Sequence, residues 1–202
     1  MTTNGIDVSH YQGVVDWNAV ADAGIVFAYC KASEGTSFVD TQFSSNWANT
    51  QSAGIIRGAY HFFRPSLDAN AQAELFLSQV VSLEDGDLPP AVDVEASDGI
   101  DAQDIVDGLQ IFLDAVQSAL DRTPVIYTYP SFWTASVGDS LQFGSYPLWV
   151  ANYGVSTPTL PDAWSTYALW QFSDSGTVSG VTGSVDCDSF NGCAADLPGL
   201  GS

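Results

Sequence analysis

Positive charge is scarce in this sequence. Its 202 residues include four Lys and Arg against 24 Asp and Glu, which gives a formal net charge of −20 at pH 7. Because no basic patch is available to neutralise phosphates, we expect no binding to DNA or RNA. Anionic membrane surfaces would also repel such a chain. Acidity of this kind indicates solubility and salt tolerance rather than a particular fold.

Long apolar runs, repeats and linkers are also missing. No apolar run approaches the roughly 18 residues that a membrane-spanning segment requires, so no membrane role is expected. No low-complexity tract or interdomain linker interrupts the chain, and its length suits one domain. We therefore expect a single catalytic domain over residues 1–202, with its core at about 4–193 and a loosely held tail at 194–202. The expected oligomeric state is a monomer.

Cysteine and histidine are rare. Cys30 lies in an apolar run and is expected to be a buried free thiol. Cys187 and Cys193 are six residues apart and could close a small loop. The cysteine spacing matches no zinc motif, and His10 and His61 do not form an H-x-H or H-E-x-x-H pattern. The sequence therefore predicts no metal site and no cofactor.

Short apolar, β-branched or aromatic runs recur along the chain and predict eight strands. Helical periodicity separates the early ones, at residues 16–23, 40–53, 67–82 and 101–120. This alternation predicts a parallel sheet with right-handed crossovers and an α/β fold, a modified (β/α) barrel of eight strands. The later connections are too short for full helices, so the number of helices should be reduced. The predicted strands are 5–8, 25–31, 56–62, 91–95, 124–129, 148–151, 168–172 and 185–188.

Acidic residues stand at the ends of several predicted strands. Asp7 ends the first strand, Asp93 and Glu95 end the fourth, and Asp186 and Asp188 end the eighth. In such barrels the chemistry lies where strands end and the following loops begin. Convergence of these acids on one barrel mouth is difficult to explain as core packing, because buried unpaired carboxylates are costly. The acids therefore indicate an active site.

The run 90–95, Pro-Ala-Val-Asp-Val-Glu, holds the central acid pair. Positions i and i+2 of a strand share a face, so Asp93 and Glu95 should point into the barrel while Val92 and Val94 pack under a helix. Like charges about 7 Å apart in a partly dry cavity cannot all ionise freely, so one pKa should be raised. A protonated acid beside an ionised one is the pair that glycosidic bond cleavage requires.

Aromatic residues at other strand ends fit a sugar site. Aromatic faces stack on pyranose rings, and their polar tips form hydrogen bonds. Tyr60 and Tyr127 favour the site, whereas Trp149 and Trp170 suit barrel core and site equally well. The predicted substrate contacts are Tyr60, Tyr127, Trp149, Trp170, Gln171 and His10. We also expect three cations to pair with neighbouring acids and so to maintain the shape of the barrel mouth: Lys31, Arg57 and Arg64.

The motifs, taken in order, resemble glycoside hydrolase family 25, the Chalaropsis-type lysozymes. Residues 5–13, GIDVSHYQG, resemble the opening strand of that family, and residues 93–95, DVE, resemble its D-x-E motif. The resemblance covers about residues 4–193. The other matching segments are KASEG at 31–35, RGAYHF at 57–62, PVIYT at 124–128, PLWVA at 147–151, LWQF at 169–172 and VDCDSFNG at 185–192.

The resemblance implies a barrel with few helices that cleaves the β-1,4 bond from N-acetylmuramic acid to N-acetylglucosamine in bacterial peptidoglycan. On matching positions, Glu95 resembles the general acid/base and Asp93 its partner carboxylate. Asp7 and Asp186 resemble the remaining acids of the site. The implied mechanism retains configuration, with the 2-acetamido carbonyl of the sugar attacking the anomeric carbon. A direct nucleophile or an inverting route uses the same acids and stays open.

One departure from the family pattern concerns the last motif. Cys187 and Cys193 flank it, where a cysteine pair is not expected, and a disulfide there would stiffen the loop after Asp186. The sequence also contains no appended wall-binding repeat, so affinity for the wall is expected to come from the groove alone.

Two other functions fit the same residues. A non-catalytic peptidoglycan-binding barrel would keep the aromatic residues but lose an acid, and every candidate acid is present here. A hexosaminidase acting on chitin could use the same D-x-E arrangement. With the glycan strands of peptidoglycan as partner, we expect a secreted, extracellular protein, or release by phage or by lysis. No basic segment or apolar stretch precedes Gly5, so we expect no signal peptide within this sequence.

Overall fold

A closed eight-stranded barrel organises the chain. The computed structural model describes residues 3–201. Eight strands form the ring, which closes where β1 pairs with β2, and the short β3 pairs only with β2. The predicted modified barrel with few helices is therefore confirmed. The strands are β1 (Thr3–Val8), β2 (Phe27–Glu34), β3 (Phe38–Val39), β4 (Ile56–Phe62), β5 (Ala91–Asp93), β6 (Val125–Thr128), β7 (Leu148–Ala151), β8 (Leu169–Gly176) and β9 (Val185–Phe190).

The four predicted helices are confirmed, each with slightly later starts or earlier ends. The longest packs Ile105, Leu109 and Phe112 into the layer between helices and barrel, because residues three or four apart share a helix face. A fifth helix was not predicted; it is a single short segment that opens with Pro130. The helices are α1 (Trp17–Asp22), α2 (Phe43–Ser52), α3 (Ala69–Gln79), α4 (Ala102–Leu120) and α5 (Pro130–Ser136).

The direction of β9 differs from the prediction of a parallel sheet. This strand runs antiparallel to both of its neighbours, β8 and β1. Only residues 177–184 connect β8 to β9, and a parallel crossover needs about a dozen residues or more, so the chain has to turn back on itself. Asp186 therefore lies at the start of β9 rather than at its end. Because the strand is reversed, that start lies at the same mouth as the ends of the parallel strands.

The barrel interior is filled by side chains at alternating strand positions. Two large rings, Phe27 and Tyr29, cross the interior opposite two glycines. A Cβ atom on Gly5 would lie 2.3 Å from the Phe27 ring, and one on Gly58 would lie 2.4 Å from the Tyr29 ring. Glycine at these two positions therefore makes room for the rings. The apolar residues of the interior are Phe27, Tyr29, Leu88, Ala91, Val125, Tyr127, Trp149, Ala151, Leu169, Phe190 and Leu197.

The C-terminal segment closes the end of the barrel opposite the mouth. Residues Ala194–Gly199 form a 3₁₀ helix, and Leu197 is fully buried against the barrel interior. Arg122 donates hydrogen bonds to the carbonyl groups of Pro198 and Leu200 at 3.1 and 2.9 Å. The expected loosely held tail is thus anchored over residues 194–201, and Ser202 lies outside the described residues.

The three cysteines are free thiols. Cys30 is fully buried, as predicted, and burial raises the pKa of its thiol to about 12. Cys187 and Cys193 do not close a loop. Extended chain rises about 3.3 Å per residue, whereas the Cα atoms of a disulfide lie within about 7 Å of each other. The stretch of β9 between the two cysteines therefore keeps them apart.

Within residues 3–201, no helix combines the length and the apolar character that a bilayer crossing demands.

The close packing of glycine against the interior rings yields a stability prediction. Gly58→Ala places a methyl group 2.4 Å from the Tyr29 ring, and we expect it to lower the free energy of unfolding by about 1–3 kcal/mol. Gly108→Ala, in the middle of α4, is the control: the nearest atom to its new Cβ is 3.5 Å away. That helix substitution should stabilise by about 0.5–1 kcal/mol. Chemical denaturation measures both, and equal stability of Gly58→Ala and the wild type would contradict the packing argument.

Candidate active site

A cavity of about 180 Å³ opens at the barrel mouth. It is formed by the C-terminal ends of the parallel strands and by the start of β9. Four carboxyl groups reach it from three separate strands. The lining residues are Asp7, Ser9, Tyr11, Gln12, Lys31, Tyr60, Phe62, Asp93, Glu95, Tyr127, Trp149, Gln171 and Asp186.

Strand alternation explains how β5 delivers its acid pair. Asp93 is the last residue of β5, and Glu95 follows two positions later on the same side of the chain. Val92 and Val94, which alternate with them, are fully buried in the layer between barrel and helices. Asp93 is only 7% exposed, whereas Glu95 is partly exposed at the mouth. The period of two therefore places both acids in the cavity, as predicted.

A hydrogen-bonded network fixes Asp7 at the floor of the cavity. The Gln171 side-chain amide donates to Asp7 Oδ2 at 2.7 Å. The hydroxyl groups of Tyr127 and Tyr153 both donate to Oε1 of Gln171, the former at 2.9 Å. Two hydroxyl donors on the amide oxygen orient its NH₂ group toward Asp7. The two tyrosines thus fix the side chain of Gln171, and Gln171 in turn fixes the carboxyl group of Asp7.

Asp93 is less completely paired than Asp7. In the chain from residue 3 to 201, its buried Oδ1 atom has no hydrogen-bond partner. Lys31 is the cation of the cavity lining, and its Nζ lies 2.7 Å from Glu34 Oε2 and 4.8 Å from the centre of the Phe62 ring. Its charge lowers the pKa of Asp93, but less than burial raises it.

Burial dominates the electrostatics of all four carboxyl groups. It raises the pKa of Asp7, to which the charges of Asp188 and Asp186 add. Burial also raises the pKa of Asp93, and the neighbouring Glu95 raises it further. The pKa of Glu95 is raised by burial and then by Asp186, and burial raises the pKa of Asp186 as well. The mouth can therefore hold protonated and ionised carboxyl groups side by side near neutral pH.

A second cavity of about 510 Å³ adjoins the first. The two share Glu95 and Tyr127 in their linings. Glu95 therefore stands at the junction of two spaces, each of a size suited to part of an extended ligand. The second cavity is lined by Glu95, Tyr127, Tyr129, Pro130, Ser131, Ala151, Asn152, Tyr153 and Thr159.

The predicted substrate contacts divide into two groups. Tyr60, Tyr127, Trp149 and Gln171 line the first cavity. Trp170 does not: its indole N–H donates to the Asn152 carbonyl at 2.8 Å, and its ring packs in the outer layer. Because Trp170 and Gln171 are consecutive in β8, they point to opposite faces. The prediction that both contact the substrate therefore conflicted with strand alternation.

His10 also lies outside the cavity lining. Its Nδ1 atom is 2.7 Å from Asp40 Oδ2, and its ring packs against Tyr11 at 4.2 Å between centroids. His10 thus supports Tyr11, which does line the cavity and is 82% exposed.

The other histidine and two of the arginines have structural partners. His61 is buried between Ser33 and Gln72, and burial lowers its pKa to about 4. Arg57 pairs with Asp87 at the end of the barrel opposite the mouth, at 2.8 Å, which corrects the expectation that it holds the mouth. Arg64 does lie at the mouth, paired with Asp98 and Glu34. Across residues 3–201, no group of three or more His, Cys, Asp or Glu is arranged to hold a metal ion.

Several cavity residues were not among the predicted substrate contacts. Ser9, Tyr11 and Gln12 follow β1, where the Ser9 and Gln12 side chains form a reciprocal capping box. The Ser-x-x-Gln spacing is a signal for such a turn, but not for its position at the mouth. Lys31 and Phe62 extend the inward-facing positions of Tyr29 and Tyr60 by two residues. Strand alternation could have identified both.

Comparison with known proteins agrees with this geometry. The model of the family described as glycosyl hydrolases family 25 matches residues 6–181. Lysozyme M1 of Streptomyces globisporus is 41% identical over 206 residues, which cover 97% of this chain and 70% of that protein. The N,O-diacetylmuramidase of a Chalaropsis species is 35% identical over 204 residues, covering 92% of this chain and 96% of that protein.

A solved structure gives the same result for the fold. The bacterial lysozyme from Streptomyces coelicolor superposes with a TM-score of 0.95 at 40% identity, covering 100% of this chain and 97% of that one. The family match, the relatives and the shared barrel agree with one another, and the chain belongs to glycosyl hydrolases family 25, a family of glycoside-cleaving enzymes.

Proposed function

We propose that this enzyme is a muramidase that hydrolyses the β-1,4 bond from N-acetylmuramic acid to N-acetylglucosamine in peptidoglycan. The position of Glu95 carries the proposal, because this acid lies where the two cavities meet and the other carboxyl groups lie on one side of it. A glycosidic bond at that junction would place one sugar in each cavity. The names of the relatives, a lysozyme and an N,O-diacetylmuramidase, support peptidoglycan as the substrate.

Glu95 is the proposed general acid. Burial and the charge of Asp186 raise its pKa, so it can hold a proton near neutral pH. It donates that proton to the glycosidic oxygen as the bond to the anomeric carbon breaks. The leaving sugar then departs through the second cavity, whose aromatic side chains Tyr127 and Tyr129 offer faces for stacking.

Asp93 is the proposed partner of the substrate's own nucleophile. Its unpaired Oδ1 atom is a buried acceptor, and the acetamido N–H of the sugar would satisfy it. The acetamido carbonyl oxygen attacks the anomeric carbon and forms an oxazolinium ion, whose positive charge the Asp93 carboxylate stabilises. Glu95, now ionised, takes a proton from water, and the resulting hydroxide attacks the anomeric carbon. This attack opens the oxazolinium ring and gives net retention of configuration.

The same proposal covers location and assembly. Peptidoglycan lies outside the cytoplasmic membrane, so the enzyme acts there, either secreted or released by lysis. The single-domain organisation and the monomeric state stay predictions, as does the absence of nucleic-acid and membrane partners.

Removal of the general acid tests the central assignment. Glu95→Gln keeps the size of the side chain but cannot donate the proton, so wall clearing should fall by about 10²- to 10⁴-fold. Turbidity loss of Gram-positive cell walls measures it, and mass analysis of the released fragments should show muramic acid at the reducing end. Glu74→Gln, an exposed acid of α3, is the matched control and should clear walls normally. Activity on chitin without activity on walls would contradict the substrate assignment.

The stereochemistry of the product tests the role of Asp93. With retention, NMR of a fresh digest should show the β anomer at the new reducing end before mutarotation. Asp93→Asn should slow the reaction strongly, because a neutral amide cannot stabilise the oxazolinium ion. Asp85→Asn, at an exposed carboxyl far from the mouth, should leave the rate unchanged. First appearance of the α anomer would show inversion and refute substrate assistance.

The pH profile tests the role of Lys31. This cation lowers the pKa of Asp93 and of Glu95, so its removal in Lys31→Met raises both. Glu95 must be protonated and Asp93 ionised, so both limbs of the kcat/KM profile should move to higher pH. Arg64→Met, which removes the neighbouring cation outside the cavity lining, should leave the profile in place. A profile that is equal in Lys31→Met and the wild type would contradict the argument.

A further inference from the structure

Asp188 is a carboxyl group in the barrel interior that the proposed mechanism does not use. It is 0% exposed and lies one layer below the cavity, opposite Gly5 of β1 and Gln171 of β8. Its Oδ1 atom accepts a hydrogen bond from the indole N–H of Trp149 at 2.8 Å. Its Oδ2 atom is buried and has no donor partner in the described part of the chain.

The neighbours of Asp188 would not stabilise a negative charge on its carboxyl group. Asp186 lies two residues before it on β9, and Asp7 of β1, which is paired with Asp186, lies diagonally across the strand pair within side-chain reach of Asp188. The remaining polar neighbours are uncharged: Tyr29 of β2, Trp149 of β7 and Gln171 of β8. Among residues 3–201, no Lys or Arg forms an ion pair with Asp188. An ionised Asp188 would therefore be a buried, uncompensated charge next to other carboxylates.

A proton on Asp188 would remove the repulsion between these carboxyl groups. Asp7 and Asp188 are close enough to interact directly, and two ionised carboxylates have no hydrogen atom to share. A protonated Asp188 supplies the donor that its Oδ2 atom otherwise lacks. Burial, with a smaller contribution from Asp186, raises the pKa of Asp188 to about 8, although the hydrogen bonds with Trp149 and Asp7 oppose the rise.

We propose that Asp188 is a positioning residue that stays protonated at neutral pH, accepts from Trp149 with one oxygen and donates its O–H to Asp7 with the other. Asp7 is then held between two donors, Gln171 and Asp188, and remains an acceptor at the floor of the cavity. The benefit to catalysis rests on the proposed function. The protonation itself is a property of the free protein and is measured without substrate.

Asp188→Asn is the informative substitution. The asparagine carbonyl can accept from Trp149, and its NH₂ group can donate to Asp7 at every pH. The ¹⁵N–¹H signal of the Trp149 indole, assigned by triple-resonance NMR, reports the neighbouring charge directly. In the wild type this signal should titrate with a midpoint near pH 8, and in Asp188→Asn the step should vanish. A wild-type signal whose only titration step lies below about pH 5, as an Asp188 that is ionised at neutral pH would give, would overturn the proposal.

Thermal stability gives an independent readout. A carboxyl whose pKa is higher in the folded than in the unfolded state lowers the free energy of unfolding as pH rises between the two pKa values, and the loss is complete above the folded pKa. The wild type should therefore lose stability between about pH 4 and pH 8, and Asp188→Asn should lose less over that range. The Tm of the variant minus that of the wild type should grow with pH, whereas exposed Asp85→Asn should show a constant difference. A constant difference for Asp188→Asn would contradict the proposal.

Activity separates the positioning role from simple packing. At about pH 6, Asp188→Asn should keep kcat/KM within a few-fold of the wild type, whereas Asp188→Leu should lose about tenfold or more. A loss in Asp188→Asn as large as in Asp188→Leu would refute the donor role. If the wild type hydrolyses no peptidoglycan but the Trp149 signal titrates, the proposed function fails and the inference about the Asp188 proton stands.

Discussion

The burial of several carboxyl groups beside one lysine is the constraint on which the site depends. Asp7 and Asp93 are 6% and 7% exposed, and Lys31 is the cation of the cavity lining. Burial and mutual repulsion raise the pKa values of carboxyl groups so placed, which favours protonation of part of the group. The rest of the structure supplies the rigid frame that keeps the groups together: a closed ring of strands and the donors Gln171, Tyr127 and Tyr153.

The reversal of β9 completes the site. In a fully parallel barrel, an acid near the start of the last strand would lie at the end opposite the mouth. The antiparallel register instead pairs Asp186 with Asp7 at the mouth and Asp188 with Gly5 one layer deeper. The strand β9 thus contributes one carboxyl group, that of Asp186, to the cavity and a second, that of Asp188, to the layer beneath it.

Much of this could be predicted where local periodicity decides the outcome. Alternation placed Asp93 and Glu95 in the cavity and the valines between them in the outer layer, because each strand has only two faces. The direction of β9 depended instead on the length of residues 177–184, which strand patterns do not reveal. The anchoring of the tail by Arg122 joins residues about 80 positions apart, a long-range contact that no local pattern encodes. Trp170 is the opposite case: it is among the predicted substrate contacts, whereas alternation with Gln171 places it outside the lining of the first cavity.

The rings that fill the barrel have a consequence for the order of events. Phe27 and Tyr29 occupy the space left by Gly5 and Gly58, and Leu197 covers the far end, so the interior has no through-passage. A glycan strand can therefore only lie across the mouth and cannot thread through the barrel. In the proposed mechanism, water for the second half of the reaction reaches the anomeric carbon from the mouth, on the side where Glu95 borders the second cavity. The departing sugar occupies that same side in the proposal, so its release would precede hydrolysis and would shield the proposed intermediate from water until then.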